Sequence, residues 1–226
     1  IDDSTELGKF VTDIGSNALT LTDQKVTVDS GTKISVANAR SIANDTTGTV
    51  TASIDTAARV SALTTLYNPG GGNETNAWTV VISSADKTGS TAANLNTINS
   101  ATSVAVDLTE VTALAASDIS DLATLNTNKD GLSNRGNLAS ITLTDNGGGG
   151  LSDVDFGALA DVVDDSQTNF KNTVTFKFQA GDTIDIDDST ELGKFVTDIG
   201  SGALTLTDQK VTVDSGTKIS VTNARS

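Results

Sequence analysis

The chain has 226 residues, of which 36% are hydrophobic and only 4% aromatic, and its formal net charge is −15 with a pI near 4.1. It contains no cysteine and no histidine, which excludes disulfides, thiolate metal sites and every catalytic arrangement that needs either side chain. The few basic residues are scattered, so nucleic acid is not an expected partner. No apolar run approaches the roughly 20 residues that span a bilayer, so membrane insertion is not expected either.

Short runs rich in Thr and Val, several with strict alternation of apolar residues, predict half-buried strands. In chain order these runs are Ala18–Thr22, Val26–Val28, Thr49–Ile54, Trp78–Ile82, Ser103–Val106, Ile141–Thr144, Val174–Phe178 and Thr183–Ile186. The alternation places Trp78 in the core and Lys177 on a solvated face.

Between these runs lie segments with apolar residues at helical spacing. Leu7, Phe10, Val11 and Ile14 mark the first, and the polar residues before it can cap the N-terminal end of a helix. The later segments are marked by Val60, Leu63 and Leu66; Leu95 and Ile98; Ile119, Leu122 and Leu125; Leu159, Val162 and Val163; and Leu192, Phe195, Val196 and Ile199.

A long repeat overlies this alternation of strands and helices. Residues 1–41 and 186–226 are identical at 39 of 41 positions and differ only at Asn17 against Gly202 and at Ala37 against Thr222. Such identity favours a tandem array with a period of 185 residues over one domain whose two ends are duplicated. Residues 1–185 are therefore predicted to be one full repeat block, and residues 186–226 the start of the next.

The predicted fold class is an α/β solenoid, a β-rich rod of short strand-plus-helix rungs with a parallel sheet along one side. Successive units begin roughly 23 to 35 residues apart, which is the period range of solenoid repeats. A single unit is too small to bury its own apolar face, and stacking on its neighbours would create a continuous core. Tandem β-sandwich domains are the alternative, but they would not explain the helical segments.

Calcium is the one ion that the sequence suggests as a cofactor. Residues 147–153 match a secreted calcium-binding nonapeptide repeat at three glycines, although Ser152 replaces its aspartate. Oxygen ligands could come from acids around this loop and in the acidic stretch before the second copy: Asp145, Asp153, Asp155, Asp185, Asp187 and Asp188. Asp188 and Glu191 have a competing interpretation as helix-capping groups.

The strings Ala92–Val106 and Val111–Ala116 resemble degenerate repeats of giant tandem-repeat surface proteins of bacteria, notably cyanobacteria. This resemblance implies an extracellular structural or adhesive role, often with calcium dependence. It brings no catalytic motif with it.

Three functions can be compared with these observations. The first is a segment of an extracellular or cell-surface filament, built by end-to-end stacking of repeat blocks, with the chain itself as partner. The second is an adhesin stalk that binds a glycan or a cell-surface partner through the loop at 68–74 or the turn at 128–137. The third, a hydrolase, needs convergent acids in a cleft, which the sequence does not indicate, and we expect no enzymatic activity.

Overall fold

The computed structural model describes residues 1–66, 76–82, 90–144, 154–170, 174–179, 182–206 and 209–213, with only the backbone described at 116 and 154–158. The fold is mixed α/β and alternates short strands with helices. The helices are α1 (Ser4–Gly15), α2 (Val36–Asp45), α3 (Val60–Leu63), α4 (Ala92–Ser100), α5 (Ile119–Thr127), α6 (Phe156–Asn169) and α7 (Ser189–Ser201).

The strands are short and lie between the helices in the chain. They are β1 (Val26–Thr27), β2 (Lys33–Ile34), β3 (Val50–Ile54), β4 (Ala77–Thr79), β5 (Val106–Asp107), β6 (Ala113–Ser117), β7 (Leu132–Ser133), β8 (Ser140–Leu143), β9 (Val154–Asp155), β10 (Thr175–Lys177), β11 (Thr183–Ile186), β12 (Leu204–Thr205) and β13 (Lys210–Val213).

The chain divides into two compact units. Unit 1 contains most of the first half, residues 1–90 and 94–111 together with 130–134. In it β3 pairs with β1, β2 and β4, and β5 pairs with β7. Unit 2 contains two further sheets, with the strand orders β12-β10-β8-β6 and β13-β11-β9. All strand pairings among the described residues are parallel, unlike the antiparallel sheets of a β-sandwich.

The core consists of the apolar faces of these short elements. Trp78 is 1% exposed, which confirms its predicted place in the core. Phe176 and Phe178 are buried while Lys177 between them is exposed, as the alternation of β10 predicts. Small residues such as Ala39 and Ala92 are also fully buried, which lets neighbouring elements within a unit approach closely.

Three elements differ from the sequence prediction. Residues 18–22 form bends and irregular backbone instead of the predicted strand, because no described strand pairs with them. Helix α2 was not predicted, although Ser35 caps its N-terminus and its inner face is formed by Val36, Ala39, Ile42 and Ala43. The predicted strand Ser103–Val106 is found only from Val106 onwards, as β5.

Candidate functional site

The region of interest is the second copy of the repeated segment and the elements that it contacts in unit 2. Locally the two copies fold alike. Asp3 caps α1 by accepting hydrogen bonds from the N–H groups of Thr5 and Glu6 at 2.7 and 2.8 Å. Asp188 caps α7 in the same way, at 2.7 and 2.9 Å. The capping interpretation of Asp188 is thereby confirmed.

The second copy continues both sheets of unit 2. Strand β12 pairs with β10, placing Leu204 beside Phe176, and β13 pairs with β11 along four residues. The Phe176 N–H donates to the carbonyl of Ala203 at 2.7 Å, and the Lys210 N–H donates to that of Asp182 at 3.1 Å. The segment thus adds one strand to each of two parallel sheets.

Helix α7 of the second copy packs against α6. Lys194 forms an ion pair with Asp161 of α6 at 3.3 Å, and Phe195 is buried beside it. Both partners of the ion pair are substantially exposed, so it contributes little stability and mainly sets the orientation of the helices. Burial of apolar side chains supplies most of the contact energy.

Electrostatics at this helix contact depend on Asp198. Burial, followed by the negative charge of Asp164 on α6, raises the pKa of Asp198 to about 6, and Lys194 opposes this only in part. The side chain of Asp198 is 9% exposed. The contact is therefore more favourable when Asp198 is protonated.

The first copy presents the same side chains without these neighbours. Leu19 is 38% exposed, whereas its copy Leu204 is 3% exposed. Phe10 is only partly buried and Ala18 is exposed, although their copies Phe195 and Ala203 are buried. The open side of α1 holds a groove of about 310 Å³, lined by Ile1, Glu6, Lys9, Phe10 and Asp13.

On the opposite side of the segment the exposures are reversed. Val26 of β1 is 7% exposed because β3 covers it, whereas its copy Val211 in β13 is 37% exposed. Each copy therefore has one covered face and one open face, and the open face of one corresponds to the covered face of the other.

The strand that occurs in both copies, as β1 and as β13, forms its hydrogen bonds on a different side in each copy. In β1 the N–H groups of Val26 and Val28 donate to the carbonyls of Thr49 and Thr51, at 3.1 and 2.9 Å. These two residues direct their N–H groups towards β3, which lies later in the chain.

The intervening residues direct their peptide groups the other way. The Thr27 carbonyl accepts a hydrogen bond from the amino group of Ile1 at 2.9 Å, and the Ile1 carbonyl accepts one from the N–H of Asp29 at 2.8 Å. In the second copy, the Lys210 N–H likewise donates towards β11, which lies earlier in the chain. No peptide group among these is used by both neighbours, so one strand can pair on both sides at once.

The acids predicted to bind calcium are only partly described. Asp145 and Asp153 lie outside the described residues. Asp155 and Asp185 are register partners in the β9–β11 pairing, Asp187 is exposed, and Asp188 serves as the cap of α7. Within the described part of the chain, no group of three or more acidic side chains could hold a metal ion. The calcium site stays a prediction.

The predicted contact loops have different outcomes. The loop at 68–74 lies outside the described residues. The turn at 128–137 contains the short strand β7 between two single-turn 3₁₀ helices. There the Asn134 amide donates to the Asp107 carboxylate at 2.8 Å. Burial tends to raise the pKa of Asp107, but hydrogen bonds from Thr109 and Asn134 outweigh it and hold that pKa below its ordinary value.

The sequence prediction missed that the two copies differ in what covers them. In the described part of the chain, no helix combines the length and apolarity needed to cross a bilayer. Comparison with protein-family models, with curated proteins and with solved structures gives no match for this chain.

Proposed function

We propose that this chain is a structural segment of an extracellular tandem-repeat filament, in which successive 185-residue blocks stack end to end as an α/β solenoid. The working parts of such a protein are backbone hydrogen bonds and small apolar side chains, and no reactive centre is required. The acidic, cysteine-free composition supports a secreted or cell-surface location.

The observation that carries this proposal is the strand found twice with different neighbours. As β13 it pairs with β11, which lies earlier in the chain, and as β1 it pairs with β3, which lies later in the chain. Because the two pairings use alternate peptide groups, both can form around one copy. A block followed by an identical block would then continue a parallel sheet across every junction.

Side-chain hydrogen bonds between successive strand segments support the same stacking. The Thr102 hydroxyl donates to the carbonyl of Trp78 at 2.8 Å, across 24 residues of chain. The Ser133 hydroxyl donates to the carbonyl of Val106 at 3.3 Å, across 27 residues. Short polar side chains thus reach the backbone of the neighbouring segment and add hydrogen bonds to the strand pairing.

The experiment is electron microscopy of the native material, imaged with and without a calcium chelator. Strand partners lie 20 to 35 residues apart, with separations near 27 in most pairings. A block of 185 residues therefore holds about seven rungs and should rise about 33 Å along a fibre. A continuous thin fibre with that axial repeat supports the proposal, and its loss on chelation would place ions at the junctions. Separate globules unaffected by the chelator contradict it.

A further inference from the structure

The contact between α6 and α7, here called the helix seam, carries two successive pairs of charged side chains. Asp161 of α6 and Lys194 of α7 form the ion pair at 3.3 Å. Asp164 and Asp198 lie about one turn further along the same two helices, three and four residues on, and therefore on the same helix faces as that ion pair. The second pair consists of two carboxyl groups, and we call Asp164 and Asp198 the acid pair.

Three features of the structure oppose two negative charges in the acid pair. Asp198 is 9% exposed, so its charge is largely removed from water. Asp164 acts on it as a like charge, and Lys194, the cation that acts on it, is engaged with Asp161. Asp198 also lies in the last turn of α7, where the helix dipole disfavours a negative charge and no basic residue is present.

The other elements packed against α7 do not supply a compensating charge. Helix α6 and strand β12 are in closest contact with α7. The remaining charged residue of α6 is a further acid, Asp165, and β12 has no charged residue. On α7 itself, Glu191 is engaged at the opposite end of the helix, where it accepts a hydrogen bond from the N–H of Asp187 at 2.9 Å.

We propose that the acid pair is a proton-operated latch of the helix seam: a proton on the pair holds α7 against α6, and loss of that proton releases α7. The strand pairings of β12 with β10 and of β13 with β11 do not involve the acid pair and stay in place. Release uncovers the apolar side chains Leu192 and Phe195, which are buried when α7 is docked. Because α6 belongs to one predicted block and α7 to the next, the latch regulates the junction between blocks, and in this role it rests on the proposed function.

The direction of the pH effect follows from the burial of Asp198. Release of α7 returns this carboxyl group to water and to its ordinary pKa of 3.8, whereas in the closed seam burial and Asp164 raise that pKa to about 6. The proton therefore stabilises the closed seam fully below about pH 4, and this stabilisation is lost as the pH rises through about 6. Allowing for solvent screening, we expect the equilibrium constant for release of α7 to rise by about tenfold between pH 4 and pH 8.

Hydrogen exchange of the full chain between pH 4 and pH 8, corrected for the intrinsic exchange rates, tests the latch. Peptides from α7 should lose protection by about tenfold. At pH 8 they should exchange at least about tenfold faster than peptides from β8, because the seam opens while the sheet remains paired. Protection of α7 that does not change with pH would overturn the latch. A common exchange rate for α7 and β8 at pH 8 would also overturn it, since unit 2 would then open as a whole.

Two neighbouring acids of α6 provide a matched pair of variants. Asp164→Asn removes the charge that acts on Asp198 and should lower the pH of half-maximal release by about 0.5 to 1 unit. Asp165→Asn makes the same change in net charge at the next residue and should leave that pH unchanged. Both residues are exposed, so neither substitution threatens the fold. Equal shifts from the two variants would indicate a general effect of net charge and would overturn the latch.

Asp198→Asn supplies a seam that cannot lose the proton. At pH 8 its α7 peptides should be as well protected as those of the wild type at pH 4, and release at pH 8 as frequent as in the wild type would contradict the latch. Circular dichroism checks that this variant keeps its helices. If it does not fold, the comparison of Asp164→Asn with Asp165→Asn decides the question.

Failure of the latch can be told apart from failure of the proposed function, because hydrogen exchange is measured on this chain alone. Unchanging protection of α7 overturns the latch and leaves the filament to be decided by electron microscopy. Separate globules in the microscope, together with pH-dependent protection of α7, contradict the filament and support the latch as a property of unit 2.

Discussion

At the residue scale, the duplicated segment allows the same residue to be compared in two different environments. The same side chain occurs twice, once covered and once open, in segments with almost identical local sequence. Differences in exposure between the copies therefore report the neighbours alone. Leu19 and Leu204 differ most clearly, at 38% and 3% exposed.

Truncating these two leucines should have unequal effects. Leu204→Ala removes methyl groups packed against β10 and should lower the free energy of unfolding of unit 2 by about 2 to 3 kcal/mol. Leu19→Ala changes a largely exposed side chain and should cost no more than about 0.5 kcal/mol. Hydrogen exchange of peptides from α7 and β10 measures the effect of Leu204→Ala. Hydrogen exchange of peptides from α1 measures the effect of Leu19→Ala. Equal losses at both positions would contradict the assigned contacts.

Protonation of Asp198 should couple the stability of unit 2 to pH. Its pKa of about 6 in the folded state lies above the ordinary value of 3.8, so the folded protein holds this proton more tightly than the unfolded chain does. The resulting stabilisation is complete below about pH 4 and is lost as the pH rises through about 6. The shift corresponds to about 3 kcal/mol, and because solvent screens this partly exposed charge we expect a loss of no more than about 2 kcal/mol from this group by pH 8.

The pH series has a matched pair of variants. Asp198→Asn should abolish this part of the pH dependence and stabilise unit 2 at pH 8, as measured by hydrogen exchange of α7 between pH 4 and pH 8. Asp13→Asn makes the same change in the first copy, where the residue is only partly buried. It should leave the pH dependence of the unfolding free energy of unit 2 unaltered. If the unfolding free energy of unit 2 still falls between pH 4 and pH 8 in Asp198→Asn, another titrating group is responsible.

At the element scale, close approach between successive chain segments depends on small residues. Gly48 lies over the backbone of Gln24, and a Cβ added there would come closer than 3.0 Å to it. The Thr46 hydroxyl fixes the same contact by donating to the carbonyl of Gln24 at 2.7 Å. The spacing between neighbouring segments in unit 1 is therefore set by backbone contact.

Replacing Gly48 tests this spacing. Gly48→Ala should destabilise unit 1 by about 1 to 3 kcal/mol, because the added methyl group overlaps a backbone that cannot move aside cheaply. Gly8→Ala is the control, since Gly8 lies within α1 with nothing within 4 Å of an added Cβ. That change should stabilise α1 by about 0.5 to 1 kcal/mol. Urea denaturation monitored by the fluorescence of Trp78 in unit 1 measures both.

Much of the element order could be predicted from the sequence, and the exceptions have physical reasons. Helices α1, α5 and α7 have strong apolar periodicity and acidic caps, which are local properties that the sequence displays. Helix α2 was missed although its inner residues lie at helical spacing, because two of the four are alanines, which a prediction from large apolar residues does not count. The run 18–22 has the alternation of a strand, but pairing needs a neighbour, and only the second copy has one.

The candidate site was less predictable than the elements. The duplication itself could be found in the sequence, and it suggested a junction between blocks. Which residues are covered at the junction could not be found, because that depends on contacts between β12 and β10 and between α7 and α6, across tens of residues. The calcium prediction rested on acids of which Asp188 has a structural role as a cap.

At the scale of the whole molecule, a regular junction is combined with a large negative charge. A net charge of −15 per chain opposes side-by-side association of chains at low salt, because like charges repel. In the proposed filament, growth would then be favoured along one direction, where parallel strands and apolar faces meet. This combination suits a thin, soluble fibre.

The central claim is that one block continues into the next through a shared strand, without a hinge. Small-angle X-ray scattering from chains containing one, two and three complete blocks tests it most directly. We predict a constant cross-section and a maximum dimension that grows by about 33 Å with each added block. A scattering profile of separate globules joined by flexible linkers, with no fixed increment in length, would contradict this claim.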